Sequence, residues 1–353
     1  MKKSLSILFL FLSLSTFAQE IRFARIDSLL HYLYENDKFM GSLCIRQGDE
    51  VVFKQAYGFS EATKGLRANG ATKYKIGSIS KTFTATMIMQ LVEEKKIVLT
   101  TKLNRFFPKI DQSDKITIEH LLYQRTGIKD YANADATLTD VLGKPNTKEL
   151  ILKKIENYSS MFEPDTKHEY SNSNYFILGL IIEKVTKKSF AENLKTRISD
   201  KLELKNTYYT NEKTDVTKRE SYSYTFNGEY WDKIDEWNND IAFSSGGIIS
   251  TPEDLTKFIL DKKYLEGNYD AFSFRVKNFL ADKLIDFSGW YPDHKVRFFN
   301  KQTAYPSDAV IHQKIITQNE KKVAVHILHY GWDSLDQIIA KKNMYSGWHA
   351  QQL

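Results

Sequence analysis

Residues 76–89 read IGSISKTFTATMIM, a serine, Ser78, set three positions ahead of a lysine, Lys81, at the head of an apolar run. Phe83, Met87, Ile88, Leu91 and Val92 recur at the spacing of one helix face, and Glu93 to Lys96 give that face a polar end. The spacing predicts a helix from Ser78 to about Lys96. One account makes Ser78 an ordinary N-cap and Lys81 a solvated surface residue. The other is chemical. A serine hydroxyl is a weak nucleophile until a base takes its proton, and a lysine one turn away shares its face. Burial or neighbouring positive charge can keep such an amine neutral enough to act as that base. Unpaired backbone N–H groups at a helix start favour developing negative charge, so a serine there sits beside an oxyanion site. The chain holds no other Ser-x-x-Lys.

The 353 residues, 42% of them hydrophobic, suffice for a large core built as one big domain or two interleaved ones. The opening MKKSLSILFLFLSLSTFAQE has a basic start at Lys2 and Lys3, an apolar stretch from Leu5 to Leu14 and small residues leading to Ala18. It reads as a secretory signal over residues 1–18, so the mature chain is expected to be exported, periplasmic or secreted. The apolar stretch is about half of the roughly 20 residues that a spanning helix needs, which argues against a stable membrane span. No cysteine lies near the cut, which argues against a lipoprotein anchor. Loss of two lysines with the signal lowers the formal charge from +6 to +4, modest beside 50 basic and 44 acidic residues, and implies no nucleic-acid partner. The single cysteine, Cys44, lies in the strand-like GSLCIRQ and reads as a packing residue. The eight histidines show no metal-ligand spacing; His326 and His329 fall three apart on a strand-like run, where odd spacing points to opposite faces. Neither a metal nor a cofactor is expected. The partner expected is a small-molecule or peptide substrate.

Along the mature chain, FARIDSLLHYLYENDKF reads as a helix and GSLCIRQGDEVVFKQAYGFS as two strands around the turn QGDE. ITIEHLLYQRTG, KELILKKIENY, NYFILGLIIEKVTKKSFAENLKTRI and PEDLTKFILDKKYL each read as a helix. Strand signals return only near the end, in HKVRFF, AVIHQKIITQ and KKVAVHILHY, ahead of a last helical DSLDQIIAKK. This order predicts one sheet assembled from both ends of the chain with a helical part inserted. SSGGIISTPEDL, around Gly246 and Gly247, reads as a turn into a helix whose first turn carries Glu253 and Asp254.

From about Val51 to Phe258 the sequence resembles the serine β-lactamase and penicillin-binding-protein-like hydrolases, in particular the class C-like branch with its esterases and D-peptidases. The resemblance is carried in order by AYGFSEATKG, YKIGSISKTFTA, ITIEHLLYQRTGIKDY, FEPDTKHEYSNSNYFILG, LELKNTYY and FSSGGIISTPEDLTKF. It implies an α/β part, about residues 19–80 and 240–353, an all-helical part, about 81–239, and a cleft between them. It also implies Ser78 as nucleophile and Tyr170 with Asn172, in EYSNSNYF, as the family's Tyr-x-Asn element, the tyrosine passing a proton between Ser78 and the leaving group. Tyr34/Asn36 and Tyr131/Asn133 fit the same letters but not the surroundings.

The family's third element, usually Lys or His followed by Thr, Ser or another residue and then Gly on a strand edge, has no clean copy. Phe287, Ser288 and Gly289 match except that phenylalanine replaces the cation, and the N–H of Trp290 is placed to complete an oxyanion hole. His329, Tyr330 and Gly331 fit the letters better but close a strand that no hairpin follows. Two readings follow: a serine hydrolase of esters, amides or D-peptide and β-lactam-like substrates, or an inactive descendant binding a cell-wall fragment or protein partner.

Overall fold

The computed structural model describes residues 23–24, 26–47, 49–132, 147–227, 229–234, 239–260, 296–301, 310–318 and 321–330. Helix α1 (residues 26–35) leads into the hairpin β1 (Met40–Gln47) and β2 (Glu50–Tyr57), which turns at QGDE as its residues predict. β1 also pairs antiparallel with the last described strand, β12 (Lys321–Tyr330), from Met40↔Tyr330 to Gln47↔Val323. With β10 (Val296–Lys301) and β11 (Val310–Gln318) they form a five-stranded antiparallel sheet in the order β10-β11-β12-β1-β2. Both ends of the chain therefore build one sheet, as expected from the sequence.

Alternation along β1 sorts its neighbours, because successive side chains point to opposite faces. Leu43 and Ile45 pack with Leu30, Leu33 and Phe39 in a cluster on the α1 side. Ser42, Cys44 and Arg46 turn the other way: Ser42 Oγ meets Tyr74 OH at 2.5 Å, and Cys44 Sγ and Arg46 Nε reach Thr256 Oγ1. Thr256 belongs to helix α8 (Pro252–Leu260), whose Phe258 ring stacks on Phe83 at 4.0 Å. Sheet, α8 and the helix of Phe83 are thereby layered against one another.

Cys44 is the packing residue its context predicts, fully buried, and desolvation pushes its thiol up to about 11. At pH 8 the native thiol should therefore hold far less thiolate than an ordinary cysteine, whose pKa is about 8.5. Iodoacetamide at pH 8 is expected to leave it unmodified in the native protein and to alkylate it fully in denaturant, read by intact mass.

The helix predicted from Ser78 is α2 (Ser80–Glu93), preceded by a 3-10 turn over Gly77–Ile79. It is buried on nearly every side rather than along one stripe, with Phe83, Met87, Ile88 and Leu91 wholly inside. Each such side chain contributes about 1.5–3 kcal/mol by leaving water. Helices α3 (Ile118–Leu122) and α4 (Lys148–Glu156) follow. α3 is much shorter than the span ITIEHLLYQRTG, because Gln124 takes up the left-handed region at φ 59° and ends it.

The run NYFILGLIIEKVTKKSFAENLKTRI is two helices, not one. α5 (Asn172–Thr186) stops where Lys187 enters the left-handed region, its N–H still bonded to Glu183 O. α6 (Phe190–Leu194) restarts at a capping box in which Ser189 and Glu192 satisfy each other's backbone N–H groups. The Ser-x-x-Glu signal was there in the residues, but the apolar period continues through it.

Strands also occur in the middle of the chain, against the expectation that they return only at the end. β5 (Tyr74–Lys75), β9 (Ile248–Ser250) and β6 (Tyr208–Tyr209) make a small sheet in the order β5-β9-β6. β3 (Phe59–Glu61) pairs with β4 (Leu66–Arg67), and β7 (Tyr224–Phe226) with β8 (Trp231–Lys233). At two or three residues these strands are too short for alternation to reveal them. Among the described residues no helix is long and apolar enough to cross a membrane.

Candidate active site

Ser78 is delivered by the small sheet. β5 pairs with β9, Ile76 N–H donates to Ile248 O, and Gly77 then turns at φ +50°, a left-handed conformation that favours glycine. Ser78 follows within the 3-10 turn. The residue preceding α2 is Ile79, with no side-chain cap, so the Ser78 hydroxyl is not spent as an N-cap. Ser78 Oγ instead lies 2.8 Å from Tyr170 OH and accepts a hydrogen bond from Lys81 Nζ at 3.2 Å. Lys81 is not a solvated surface lysine either. It is 7% exposed, and Nζ also donates to Asn172 Oδ1 at 2.8 Å and to Ser245 O at 2.7 Å. Its ammonium sits 4.9 Å from the Tyr170 ring centroid.

Tyr170 and Asn172 arrive from the other side, on the segment that starts α5. The loop after α3 receives each polar residue there in turn. Glu169 N–H donates to Gln124 O, Ser171 N–H to Gln124 Oε1, Asn172 Nδ2 to Asp130 Oδ2, and Asn174 Nδ2 to Gln124 Oε1. Ser173 Oγ donates to Lys129 O and accepts from Tyr131 N–H. YSNSN and QRTGIKDY are thus one bonded unit, which explains so many small polar residues beside an apolar helix. Tyr170 OH also donates to Asn172 Oδ1 at 3.0 Å. The tyrosines of the alternative pairs are bonded otherwise, Tyr131 OH donating to Ile241 O and Tyr34 OH accepting from Arg67, and Asn133 lies outside the described residues.

Two further contributors escaped the sequence. The first is the backbone of Ser245, in helix α7 (Asn239–Gly246). That helix breaks at Phe243, which takes φ 38° and ψ −131°, a conformation that costs a bulky residue on the order of 1–3 kcal/mol. The Phe243 ring is wholly buried against Phe176, Phe190 and Tyr209, which hold it there. The break aims Ser244 O at the Thr84 hydroxyl and Ser245 O at Lys81. α5 comes so close that a Cβ on Gly179 would fall 2.0 Å from Ser244 Oγ. SSGG is therefore more than a turn into α8: it supplies an acceptor to the lysine.

The second contributor is Asp130, 6% exposed. Burial pushes its carboxyl up, against the pull of the Ala132 N–H and the Lys81 charge.

Phe287, Ser288, Gly289 and Trp290 lie outside the described residues. His329 sits in β12, paired with Val310 of β11 and Gly41 of β1. It is therefore inside the sheet and not on an edge; among the described strands the edge on the C-terminal side is β10.

As an arrangement, a half-buried hydroxyl is bonded to a phenol and an amine, with a path for its proton through either.

The family model described as Beta-lactamase matches residues 36–282. Teichoic acid D-alanine hydrolase of Staphylococcus aureus (strain MRSA252) is 27% identical over 321 residues, covering 88% of this chain and 75% of that protein. Among solved structures, FmtA from Staphylococcus aureus superposes with a TM-score of 0.69 at 24% identity, over 93% of this chain and 89% of that one. D-amino acid amidase from Ochrobactrum anthropi SV3, complexed with D-phenylalanine, gives 0.66 at 20% identity, over 86% and 90%. A penicillin-binding protein from Bacillus halodurans gives 0.69 at 20% identity, over 89% and 98%. These likenesses establish a shared β-lactamase/transpeptidase-like fold. The matched span of 36–282 is well over half of the sequence, and the chain belongs to the β-lactamase family of serine hydrolases.

Proposed function

We propose that this enzyme is exported through the signal of residues 1–18 and hydrolyses D-amino acid esters or amides by way of an acyl-enzyme on Ser78. The observation that carries the reading is the pair of contacts on Ser78 Oγ, to Tyr170 OH at 2.8 Å and Lys81 Nζ at 3.2 Å. Ser78 Oγ attacks the carbonyl carbon while its proton passes to Lys81 in its deprotonated, amine form, with the Tyr170 hydroxyl beside them as the donor for the leaving atom. The tetrahedral oxyanion forms near the unpaired N–H groups at the start of the 3-10 turn. The carbonyl then re-forms, the bond to the leaving oxygen or nitrogen breaks, and the Tyr170 proton goes to that atom while the Lys81 ammonium returns its proton to the Tyr170 oxygen. Water attacks the acyl-enzyme by the reverse route, releasing the acid and restoring the Ser78 hydroxyl.

Asn172 holds Lys81 and Tyr170 in register through one oxygen. Phe287, Ser288, Gly289 and Trp290 keep in this reading the substrate-binding role that the resemblance implies for them. The preference for D-substrates is drawn from the relatives, a D-alanine hydrolase and a D-amino acid amidase.

The test is hydrolysis of paired enantiomers, D- and L-alanine methyl ester and D- and L-phenylalanine amide, by the mature protein. The D-form is expected to be the better substrate by at least about tenfold in kcat/KM, the scale of one misfitted group in a pocket. Equal rates, or preference for the L-form, would overturn the substrate class and leave the serine chemistry to be judged by the variants below.

A further inference from the structure

We infer that Asp130 is a positioning residue that fixes the orientation of the Asn172 amide and so decides that Lys81 and Tyr170 face an oxygen. The inference rests on the proposed role of Ser78 and goes beyond it. An amide side chain has nearly the same shape with its oxygen and nitrogen exchanged, so only its partners choose between the two orientations. On one side of Asn172 stand Lys81 Nζ and Tyr170 OH, at 2.8 and 3.0 Å, both donating to Oδ1. On the other stands Asp130 Oδ2, accepting from Nδ2 at 3.0 Å. Exchanging the ends would set an NH2 against the Lys81 ammonium and a carbonyl against the Asp130 carboxylate, and both pairings repel.

Asp130 suits this task because an ionised carboxylate only accepts. Its Oδ1 is already held by the Ala132 N–H at 3.0 Å, a backbone donor that cannot turn round. The remaining oxygen presents an acceptor to Asn172. Burial strengthens the choice, since the contacts of a 6% exposed carboxylate are little screened by water.

Replacing Asp130 by asparagine tests the consequence with little change of shape. The backbone N–H keeps the new oxygen, the new NH2 faces Asn172, and Asn172 turns its own oxygen toward it. Lys81 and Tyr170 then meet an NH2. Asp130→Asn is expected to slow acylation of Ser78 by about 10²-fold, the scale of lost placement around a reacting group. Asn172→Asp alone sets two carboxylates against each other and is also slow. The double variant, Asp130→Asn with Asn172→Asp, returns an acceptor to both sides and should exceed either single variant by at least about tenfold, a rescue that a merely structural role does not predict.

The readout is the pre-steady-state burst of p-nitrophenol from p-nitrophenyl acetate, whose rate constant is per competent site and whose amplitude counts those sites. An Asp130→Asn rate within about twofold of the unaltered protein would overturn the inference, and so would a double variant no faster than the single ones. Should Asp130→Asn yield no folded protein, the comparison of the double variant with Asn172→Asp decides alone. Ser78→Ala is run alongside: a full burst there would refute the acyl-enzyme itself, whereas its absence together with an unaffected Asp130→Asn would refute only the role of Asp130.

Discussion

Replacing Ser78 with alanine is expected to lower kcat/KM for any ester or amide substrate by at least about 10⁴-fold, with the protein still folded. Removing a nucleophile leaves only binding and oxyanion stabilisation, and in well-studied serine hydrolases the loss is of that order or larger. Stability should change little, because Ser78 Oγ caps no helix and its two contacts are to Tyr170 and Lys81. Lys81 keeps Asn172 Oδ1 and Ser245 O as acceptors in the variant. Thermal unfolding of Ser78→Ala beside the unaltered protein separates the two effects. A melting temperature close to the original with activity retained would remove Ser78 from the mechanism.

Replacing Lys81 with alanine is expected to slow acylation by about 10²–10⁴-fold, the range found when a positioned proton-transfer group is lost. Here stability falls as well. The amine holds three acceptors from separate elements, and removing it strands Ser245 O in a buried site at a cost of about 1–3 kcal/mol, while Asn172 Oδ1 keeps the Tyr170 hydroxyl. Rates are therefore taken per titrated active site. Tyr170→Phe should follow with a smaller loss, since the ring and its packing remain and the amine still touches Ser78. Full acylation rates in both variants would show that neither group carries the serine proton.

Much of this was legible in the residues. The helix after Ser78, the hairpin at QGDE and the three strands near the end of the chain are long, strongly patterned segments, and period and turn chemistry place them. The β5-β9-β6 sheet was not legible, because strands of two or three residues carry no alternation, although they are what set Ser78 at the end of a strand. The division of α5 from α6 hid behind a continuous apolar period, with only Ser189 and Glu192 to mark it. The site divides in the same way. Ser78 and Lys81 are neighbours in sequence, so spacing alone brings them together. Tyr170 lies 92 positions from Ser78, and there the order of motifs in the resemblance, not any spacing, selected it. Ser245 contributes a backbone carbonyl, which no residue type announces, and its direction depends on a φ at Phe243 that sequence does not print. Asp130 acts through Asn172, and nothing in KDY distinguishes a buried carboxylate from a solvated one.

The acyl-enzyme on Ser78 is tested most directly by finding which atom takes a label. The mature protein, treated with a fluorophosphonate and digested with trypsin, should release the peptide between Lys75 and Lys81, IGSISK, carrying the phosphonyl mass. That peptide also contains Ser80, whose hydroxyl is wholly buried and accepts from Ile248 N–H, so it serves as an internal control. Fragmentation is predicted to place the whole mass on Ser78, in a 1:1 ratio to protein. Label on Ser80, on a different peptide, or on no peptide at saturating reagent would contradict the account.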